Sequence, residues 1–368
     1  MRPILKPGLA RVWLDAEHLQ LGLGPRRRVR RLDGAARRLI EALDGTRDTE
    51  ALISYGARLG LTRERTLGLL ERLAVDGALD DAALPTPGLA RLPVGERARL
   101  APVVSALGLR NRLPGGGARA LERRSQQHAV VHGLGLIGAQ VARQLAAAGV
   151  GVVRPVDPSA VEAADTGPGA LDPAEAGRRR QDAVARAIQR LTPAARVAPA
   201  RHARPDLVVL APSERYPVEL LEQLHGAGVP HLTVRTAGDA ALVGPLVLPG
   251  RTPCVRCADL HLSAEDPGWP RHLAQLAPTR PGELAPRDTP LALLAAAYTV
   301  LHALSFLDGD DPPVLGAVLR LDPETALPER TRLAAHPACA CGAAARHAEA
   351  AAPRATLSGP TCLNGPYE

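Results

Sequence analysis

The chain has 368 residues, which is enough to bury the cores of two or three domains. Lys6 is the single lysine, which excludes a phosphate loop of the Gly-Lys-Ser/Thr kind and argues against Schiff-base chemistry. A formal net charge of +7 suits a nucleic acid, an anionic peptide or a nucleotide as the partner. The arginines are spread along the chain, however, and this favours a mostly solvated basic surface.

The apolar segments and the cysteines indicate the compartment. Residues 1–10 contain two prolines and no long apolar run, so no signal peptide is predicted. The longest apolar stretch, residues 291–307, is interrupted by Tyr298, Thr299 and His302 and predicts a buried helix instead of a membrane span. Four of the five cysteines form two tight pairs, which indicates a reducing environment. We therefore expect a cytoplasmic protein without a membrane partner.

Residues 1–84 predict a small α+β domain. Alternating apolar residues separated by turn residues predict short strands at 12–14, 18–23 and 28–32. Helical periodicity follows, with helix caps predicted at Asp33, at Thr46 or Asp48, and at Thr62. Three short strands followed by three helices are typical of a winged-helix-like domain.

Three motifs in this region resemble PqqD-like peptide-recognition elements: Leu-Asp-Gly at 32–34, Leu-Asp-Gly-Thr-Arg at 43–47 and Leu-Leu-Glu-Arg-Leu at 69–73. In that family the leader of a ribosomally made precursor peptide adds as a strand to an open sheet edge and packs against the third helix. The resemblance implies a groove between residues 28–32 and 66–75. The peptide-binding residues that it implies are Val29, Arg30, Arg31, Leu32, Leu69, Arg72 and Leu73.

Two other roles remain open for this domain, namely contact with DNA and a purely structural role. A DNA reader needs polar side chains on its last helix to contact base edges, whereas residues 66–75 offer mostly Leu, Gly and Glu71. Nucleic acid is therefore disfavoured as a partner. Basic residues at Arg28, Arg30 and Arg31 suit an acidic leader.

Two segments have weak patterning. Residues 85–125 are rich in Pro and Gly and predict a connector with one or two short elements. Residues 343–368 are rich in Ala and Pro and predict a loose tail. Cys362 lies in this tail, where it is either an incidental residue or, in the alternative, a thioester nucleophile.

Between these segments, residues 126–342 predict an α/β domain. A β-branched run ends in a glycine string, Gly133, Gly135 and Gly138, and a helical repeat follows up to Gly149. A second strand ends at Asp157, which lies about 20 residues beyond the glycines, where an acid contacts a ribose hydroxyl in Rossmann folds. The order of these elements predicts a nucleotide-binding βαβ unit.

The remainder of this domain continues the α/β pattern. Helices are predicted at 178–191 and 218–225, strands at 206–210, 231–235 and 314–321, and a hairpin with a Gly-Pro turn at 241–248. The predicted fold class is therefore α/β, a Rossmann-like domain preceded by the small α+β domain.

The paired cysteines predict a metal site. Cys254 and Cys257 have the spacing of one half of a tetrahedral zinc site, and Cys339 and Cys341 can supply the other half. A disulfide between Cys339 and Cys341 is disfavoured because one intervening residue strains its geometry. A thioredoxin-like role for the first pair is also disfavoured, since Cys254 is predicted to follow a turn instead of opening a helix directly after a strand. Four thiolates leave no open coordination position, so the zinc is predicted to be structural.

The glycine string, Asp157 and the Cys-x-x-Cys pair resemble the ThiF/MoeB-type fold of the ubiquitin-activating superfamily, over roughly residues 126–342. Active members use Mg-ATP to adenylate a C-terminal carboxylate and are usually homodimers. The resemblance implies nucleotide contacts by Gly133, Gly135, Gly138, Asp157 and a basic residue at the start of the next helix. Arg178, Arg179 and Arg180 are the candidates for this last position, and Arg178 is the one we select.

Two departures from the family pattern affect its ATP chemistry. The Asn-Leu-x-Arg-Gln segment of active members is absent after Asp157, where residues 164–169 read Ala-Asp-Thr-Gly-Pro-Gly. Active members also place an aspartate near magnesium after the strand at 206–210, whereas here Pro212, Ser213 and Glu214 follow. These departures favour loss of adenylation over its retention.

Together, the two resemblances match the ThiF-like partner proteins of azoline-forming peptide biosynthesis. Such a protein binds the leader peptide and presents the precursor to a separate YcaO-type cyclodehydratase. The alternative is an active adenylyltransferase for a peptide or carrier-protein carboxylate, and a weaker alternative is a DNA-binding regulator.

Overall fold

The computed structural model describes residues 1–23, 28–198, 204–212, 217–275, 288–325 and 327–345. Its first part, the N-terminal module, comprises residues 1–81. The elements of this module are β1 (Pro3–Leu5), β2 (Arg11–Trp13), β3 (His18–Leu21), β4 (Arg28–Arg31), α1 (Gly34–Glu41), α2 (Thr49–Arg58), α3 (Arg63–Val75) and β5 (Leu79–Asp81).

In the N-terminal module, the strands β2, β3 and β4 form an antiparallel sheet, and β1 pairs with β5 in a second small sheet. The side chains of Asp33, Asp48 and Thr62 each accept the backbone N–H group three residues on, and so cap α1, α2 and α3. The caps at Asp33 and Thr62 lie as predicted, and Asp48 is the cap of the second helix. The three helices pack on the sheet through a leucine-rich core that includes Leu19, Leu39 and Leu52.

The predicted connector instead contains three helices: α4 (Pro87–Ala90), α5 (Val94–Arg110) and α6 (Gly116–Gln126). The helices α5 and α6 pack against each other as a helical hairpin, with Leu100, Leu107 and Leu121 in a core of their own. Gly117 makes this close packing possible, because a Cβ atom there would overlap the carbonyl oxygen of Val104. The prediction of one or two short elements was wrong. The glycines that indicated a loop are used instead where the two helices pack closely.

The third part, residues 128–345, is the α/β domain. Its elements are β6 (His128–His132), α7 (Leu136–Ala147), β7 (Val152–Val156), α8 (Arg180–Leu191), β8 (Leu207–Leu210), α9 (Val218–Gly226), β9 (His231–Ala237), β10 (Ala240–Val247), α10 (Val255–Glu265), α11 (Trp269–Gln275), α12 (Thr289–Leu307), β11 (Ala317–Leu321) and β12 (Pro328–Arg332). The seven strands form one sheet in the order β12-β11-β10-β9-β8-β6-β7.

The sheet is parallel at one end and antiparallel at the other. Strands β7, β6, β8 and β9 pair in parallel, and β10, β11 and β12 continue the sheet in antiparallel pairs. One buried cluster joins the sheet to α7, α8 and α12, and Leu224 of α9 packs with Val130, Val208 and Leu210 in a separate cluster. Helices therefore cover both faces of the sheet, as they do in Rossmann-like folds.

One predicted feature of this domain differs in the structure, and the long apolar helix agrees with its prediction. The predicted hairpin at 241–248 is the single strand β10, in which Gly244 and Pro245 form an irregularity between Val243 and Leu246 instead of a turn. The helix α12 is, among the described residues, the one helix long and apolar enough to cross a membrane, but nearly half of it is buried in the protein. It packs on α7 and β10, as the prediction of a buried helix requires.

Candidate functional sites

The glycine turn between β6 and α7 has the backbone that a nucleotide site requires. Gly133 has a φ of +82°, and a Cβ atom there would collide with the backbone of Ala211 and Pro212. A Cβ atom at Gly138 would overlap the carbonyl oxygen of Gly133. Gly135 occupies the N-cap of α7 and provides no side-chain cap, so the first N–H groups of this helix are available to an anion.

Asp157 lies at the end of β7, next to the glycine turn. Its carboxylate accepts hydrogen bonds from the backbone N–H of Leu134 at 2.8 Å and of Ser159 at 3.0 Å. Arg180 lies 3.4 Å from the same carboxylate and donates to Asp165 at 2.7 Å. Asp157, Asp165 and Arg180 are each less than a tenth exposed. Burial alone lowers the pKa of Arg180, but Asp165 and Asp157 raise it overall, so the guanidinium stays charged.

The basic residue beside Asp157 is Arg180 and not the selected Arg178. Arg178 is mostly exposed, and its guanidinium lies 3.6 Å from Glu175. Arg180 is the first residue of α8, and its backbone N–H donates to the carbonyl of Ser159, which aims its side chain towards Asp157. The sequence reasoning also missed Asp165, because a single acid in a loop carries no periodic or motif signal.

The described parts of the two segments that depart from the family pattern lie beside this site. Residues 163–165 form a 3-10 turn in which Glu162 and Asp165 cap each other reciprocally. After β8, Ala211 and Pro212 pack against Gly133. Ser213 and Glu214 lie outside the described residues, as does Cys362.

The four paired cysteines converge on one point. The Sγ atom of Cys254 lies 3.9 Å from that of Cys257 and 3.7 Å from that of Cys339, and the Sγ atoms of Cys257 and Cys341 are 3.5 Å apart. A tetrahedron with Zn–S bonds of about 2.3 Å separates its sulfurs by about 3.8 Å. None of these four cysteines forms a disulfide, and their sulfurs lie within 4.8 Å of one another. The donor set and the spacing therefore fit a tetrahedral metal such as zinc.

The protein environment favours thiols over thiolates at three of these cysteines when no metal is considered. Burial raises the pKa of Cys254 to about 12 and the pKa values of Cys339 and Cys341 to about 11. A metal ion must therefore displace protons when it binds. Cys254 follows the turn at 249–251, as predicted, and is the N-cap of α10.

The predicted peptide-binding residues divide into buried and exposed groups. Leu32, Leu69 and Leu73 lie in the core of the N-terminal module. Val29 and Arg31 are exposed on β4, and Arg31 pairs with Glu17 at 2.9 Å. The remaining predicted residues, Arg30 and Arg72, are half-buried and exposed, respectively.

Two ion pairs hold the strand β4 beside α3. Arg30 makes a bidentate contact with Asp76, the C-cap of α3, with distances of 2.6 and 2.9 Å. Arg65, near the start of α3, lies 2.5 Å from Asp33, which follows β4. β4 therefore runs antiparallel to α3, with one ion pair near each end.

The ThiF family model matches residues 109–343 of the chain. The chain belongs to the ThiF family. Its fold is similar to that of E. coli MccB in complex with ATP, with a TM-score of 0.66, 15% identity, and coverage of 93% of this chain and 100% of that chain. The microcin C7 biosynthetic enzyme MccB in complex with N-formylated MccA gives 0.67, 16%, 93% and 100%.

A structure of PaaA has the same fold over a smaller part, with a TM-score of 0.57, 18% identity, and coverage of 72% of this chain and 91% of that chain. Among curated proteins, none matches the chain significantly. The predicted ThiF-type, Rossmann-like domain is confirmed, together with a cluster of four cysteines that could hold a metal ion. The similarity to MccB spans nearly the whole chain, including most of the N-terminal module.

Proposed function

We propose that this ThiF-family protein binds the leader of a ribosomally made precursor peptide along β4 and presents the peptide to a separate YcaO-type cyclodehydratase. The observation that carries the proposal is the open edge of β4. Among the described residues, β4 pairs with β3 alone, and its other edge lies beside α3. A peptide that adds to this edge gains main-chain hydrogen bonds in an extended conformation.

Two backbone N–H groups of β4 are available for this pairing. The N–H of Leu32 donates to the carbonyl of Glu17, so this pair of residues is a hydrogen-bonded pair of the antiparallel ladder. Hydrogen-bonded and non-bonded pairs alternate along such a ladder. The register pairs Val29 with Gln20 and Arg31 with His18, so the N–H groups of Val29 and Arg31 point away from β3 and towards an added strand.

The side chains around this edge favour an acidic leader with apolar residues. Arg31 is exposed, and its surface ion pair with Glu17 is weak enough to exchange for a carboxylate of the peptide. Val29 and Val75 are exposed apolar residues on β4 and at the end of α3. Val29 and Arg31 lie two residues apart on one face of β4, so alternate side chains of a bound strand would meet an apolar and a charged position, which is how β-augmentation obtains specificity.

The α/β domain contributes the scaffold in this proposal. Its basic residue Arg180 is shared between two buried carboxylates, Asp157 and Asp165, which reduces its availability to a triphosphate. Pro212 follows β8 in the segment where active members carry the aspartate near magnesium. Both features support a domain that holds the peptide-binding part and its partner enzyme, and not one that activates a carboxylate.

A proline scan of the edge tests the proposal. The Val29→Pro variant removes one outward N–H group. It removes no ladder hydrogen bond, because this N–H points away from β3, and proline is tolerated at such a position of an edge strand. We expect it to weaken binding of a fluorescent leader peptide from the same gene cluster at least about tenfold, measured by anisotropy with the full-length protein. The Val29→Ala variant keeps the N–H group and should bind within about threefold of the wild type.

Equal affinities of the wild type and Val29→Pro would contradict the location of the peptide. No binding by any of the three proteins would contradict the leader-binding function itself. Addition of the purified YcaO-type enzyme then tests presentation, because heterocycle formation should require this protein in its peptide-competent form.

An active adenylyltransferase is the second candidate function, and two observations favour it. The glycine turn has the geometry of a working nucleotide loop, and the similar fold of MccB has been seen with ATP. If this function is retained, calorimetry should detect ATP and magnesium binding tighter than about 100 μM, and the precursor should stimulate pyrophosphate exchange. The absence of both signals would leave peptide binding as the function.

A further inference from the structure

A cleft separate from the glycine turn lies between α7 and α8. It has a volume of about 530 Å³ and is closed on one side by the loop 166–173. Its lining residues are Arg143, Thr166, Gly167, Gly169, Ala170, Leu171, Asp172, Pro173, Ala187, Arg190 and Leu191. Two guanidinium groups therefore face a cleft with one acidic side chain, Asp172, in its lining.

Arg143 projects from the third turn of α7 into this cleft. One of its terminal nitrogens donates to the carbonyl of Ala170, whereas its Nε is buried and has no hydrogen-bond partner among the described residues. Arg190 lines the same cleft, and burial, followed by repulsion from Arg190, lowers the pKa of Arg143. Because Arg143 lines the cleft and its Nε is closed off from solvent, its terminal N–H groups are the donors that an anion there could reach.

The charges around the cleft are unbalanced. Arg190 lies 3.4 Å from Glu175, but the same carboxylate also pairs with Arg186 at 2.7 Å and with Arg178 at 3.6 Å. Asp172 uses its side chain to accept the N–H of Ala174 at the start of a 3-10 turn. Within the lining itself, Arg143 and Arg190 face the single carboxylate of Asp172, and this excess of positive charge suits an anionic ligand.

The cleft is distinct from the glycine turn. Arg143 is seven residues beyond Leu136, the first residue of α7, which corresponds to about 10 Å along a helix. The loop over α7 lies between the two positions, since a Cβ atom at Gly167 would lie 3.0 Å from Leu136, and one at Gly169 would lie 3.8 Å from Gln140. A ligand in the cleft would therefore be beyond the reach of the N-terminus of α7.

We infer that this cleft binds a phosphate-type dianion between the guanidinium groups of Arg143 and Arg190. Arginine is suited to this ligand because its planar donors match the oxygens of a phosphate group. Free phosphate and the phosphate of a small nucleotide such as AMP share the chemistry that the cleft recognises.

Calorimetric titration of the full-length protein with inorganic phosphate and, separately, with AMP tests the inference. We expect Arg143→Gln and Arg190→Gln each to weaken binding about tenfold, because each removes a charged donor. Arg190 is largely exposed, so its substitution preserves the fold even if that of Arg143 does not. The matched control is Arg186→Gln, which loses the same charge beside the same Glu175 but does not line the cleft, and it should bind within about threefold of the wild type.

Binding of phosphate that depends on both arginines assigns the cleft to the free ion. Tighter binding of AMP with the same dependence assigns it to a nucleotide phosphate. Affinities that are unchanged in Arg143→Gln and Arg190→Gln, or reduced equally in Arg186→Gln, would overturn the site, as would the absence of heat with both ligands.

Discussion

At the scale of single residues, His231 links the stability of the fold to pH. It is fully buried at the start of β9, its Nδ1 lies 3.0 Å from the carbonyl of Val229, and its ring packs edge-on against His225. Burial lowers the pKa of His231 to about 4. In the unfolded chain the imidazole protonates near pH 6.5. The contribution of the buried neutral ring to the free energy of unfolding is therefore present above pH 6.5 and is lost as the pH falls towards 4.

The His231→Asn variant tests this linkage. The asparagine amide can still donate to the carbonyl of Val229 but does not titrate. Between pH 7 and pH 5 we expect the free energy of unfolding of the wild type to fall by about 2 kcal/mol more than that of the variant, measured with urea. Parallel pH profiles of the two proteins would contradict the assignment to His231.

At Gly138, the absence of a side chain decides the local structure. A Cβ atom there would overlap the carbonyl oxygen of Gly133, so Gly138→Ala must push α7 away from the turn. We expect a loss of about 1–3 kcal/mol in the free energy of unfolding, together with loss of any ATP binding. The control is Gly95→Ala in α5, where a Cβ atom meets nothing within 4 Å and alanine should stabilise the helix by about 0.5–1 kcal/mol. Similar losses in both variants would contradict the close approach at Gly138.

At the scale of elements, the four cysteines fix α10 to the segment that follows β12. Cys254 and Cys257 belong to the start of α10, and Cys339 and Cys341 lie about 80 residues later in the chain. A metal that joins them should hold both segments, because it closes a long loop of chain. The protons released from thiols with raised pKa values should make its apparent affinity increase with pH.

The Cys341→Ser variant tests the metal site. We expect the purified wild type to contain about one zinc per chain by elemental analysis and the variant to contain much less, with a lower melting temperature that no longer responds to a chelator. The Cys362→Ser variant serves as the control, because Cys362 is not one of the four paired cysteines. Equal zinc contents in the two variants would contradict the site.

Most short elements follow from local rules, and the exceptions have physical causes. The caps at Asp33 and Thr62, the glycine turn and the cysteine spacing depend on residues close in sequence, so patterns predict them well. The pairing of β1 with β5 depends on contacts about 75 residues apart and was not predicted. Arg180 was not selected over Arg178 because neighbouring arginines differ only in burial, which the sequence of an arginine-rich chain does not reveal.

At the scale of the whole molecule, the helical hairpin formed by α5 and α6 ties the N-terminal module to the α/β domain. On one side, Lys6 of the module donates to the carbonyls of Gly108 and Asn111 at the end of α5. On the other, Arg124 of α6 makes a bidentate ion pair with Asp308, which follows α12. The single lysine thus has a structural role, and burial lowers its pKa.

The Lys6→Met variant should loosen this connection. Two buried carbonyls lose a charged donor, and we expect a loss of about 1–3 kcal/mol in the free energy of unfolding of the module, detected as faster hydrogen exchange in β1 and β5. Arg97→Met on the exposed side of α5 is the control, with a change within about 0.5 kcal/mol. Unchanged exchange in Lys6→Met would mean that the hairpin does not support the module.

Hydrogen–deuterium exchange of the full-length protein with and without the leader peptide tests the central proposal most directly. If the peptide adds to β4, the outward amides of Val29 and Arg31 should exchange at least about tenfold more slowly in the complex, because they gain hydrogen-bond partners. Protection should extend along α3 and leave the glycine turn unchanged. A peptide that binds and protects the α/β domain while the exchange of β4 stays the same would contradict the proposed function.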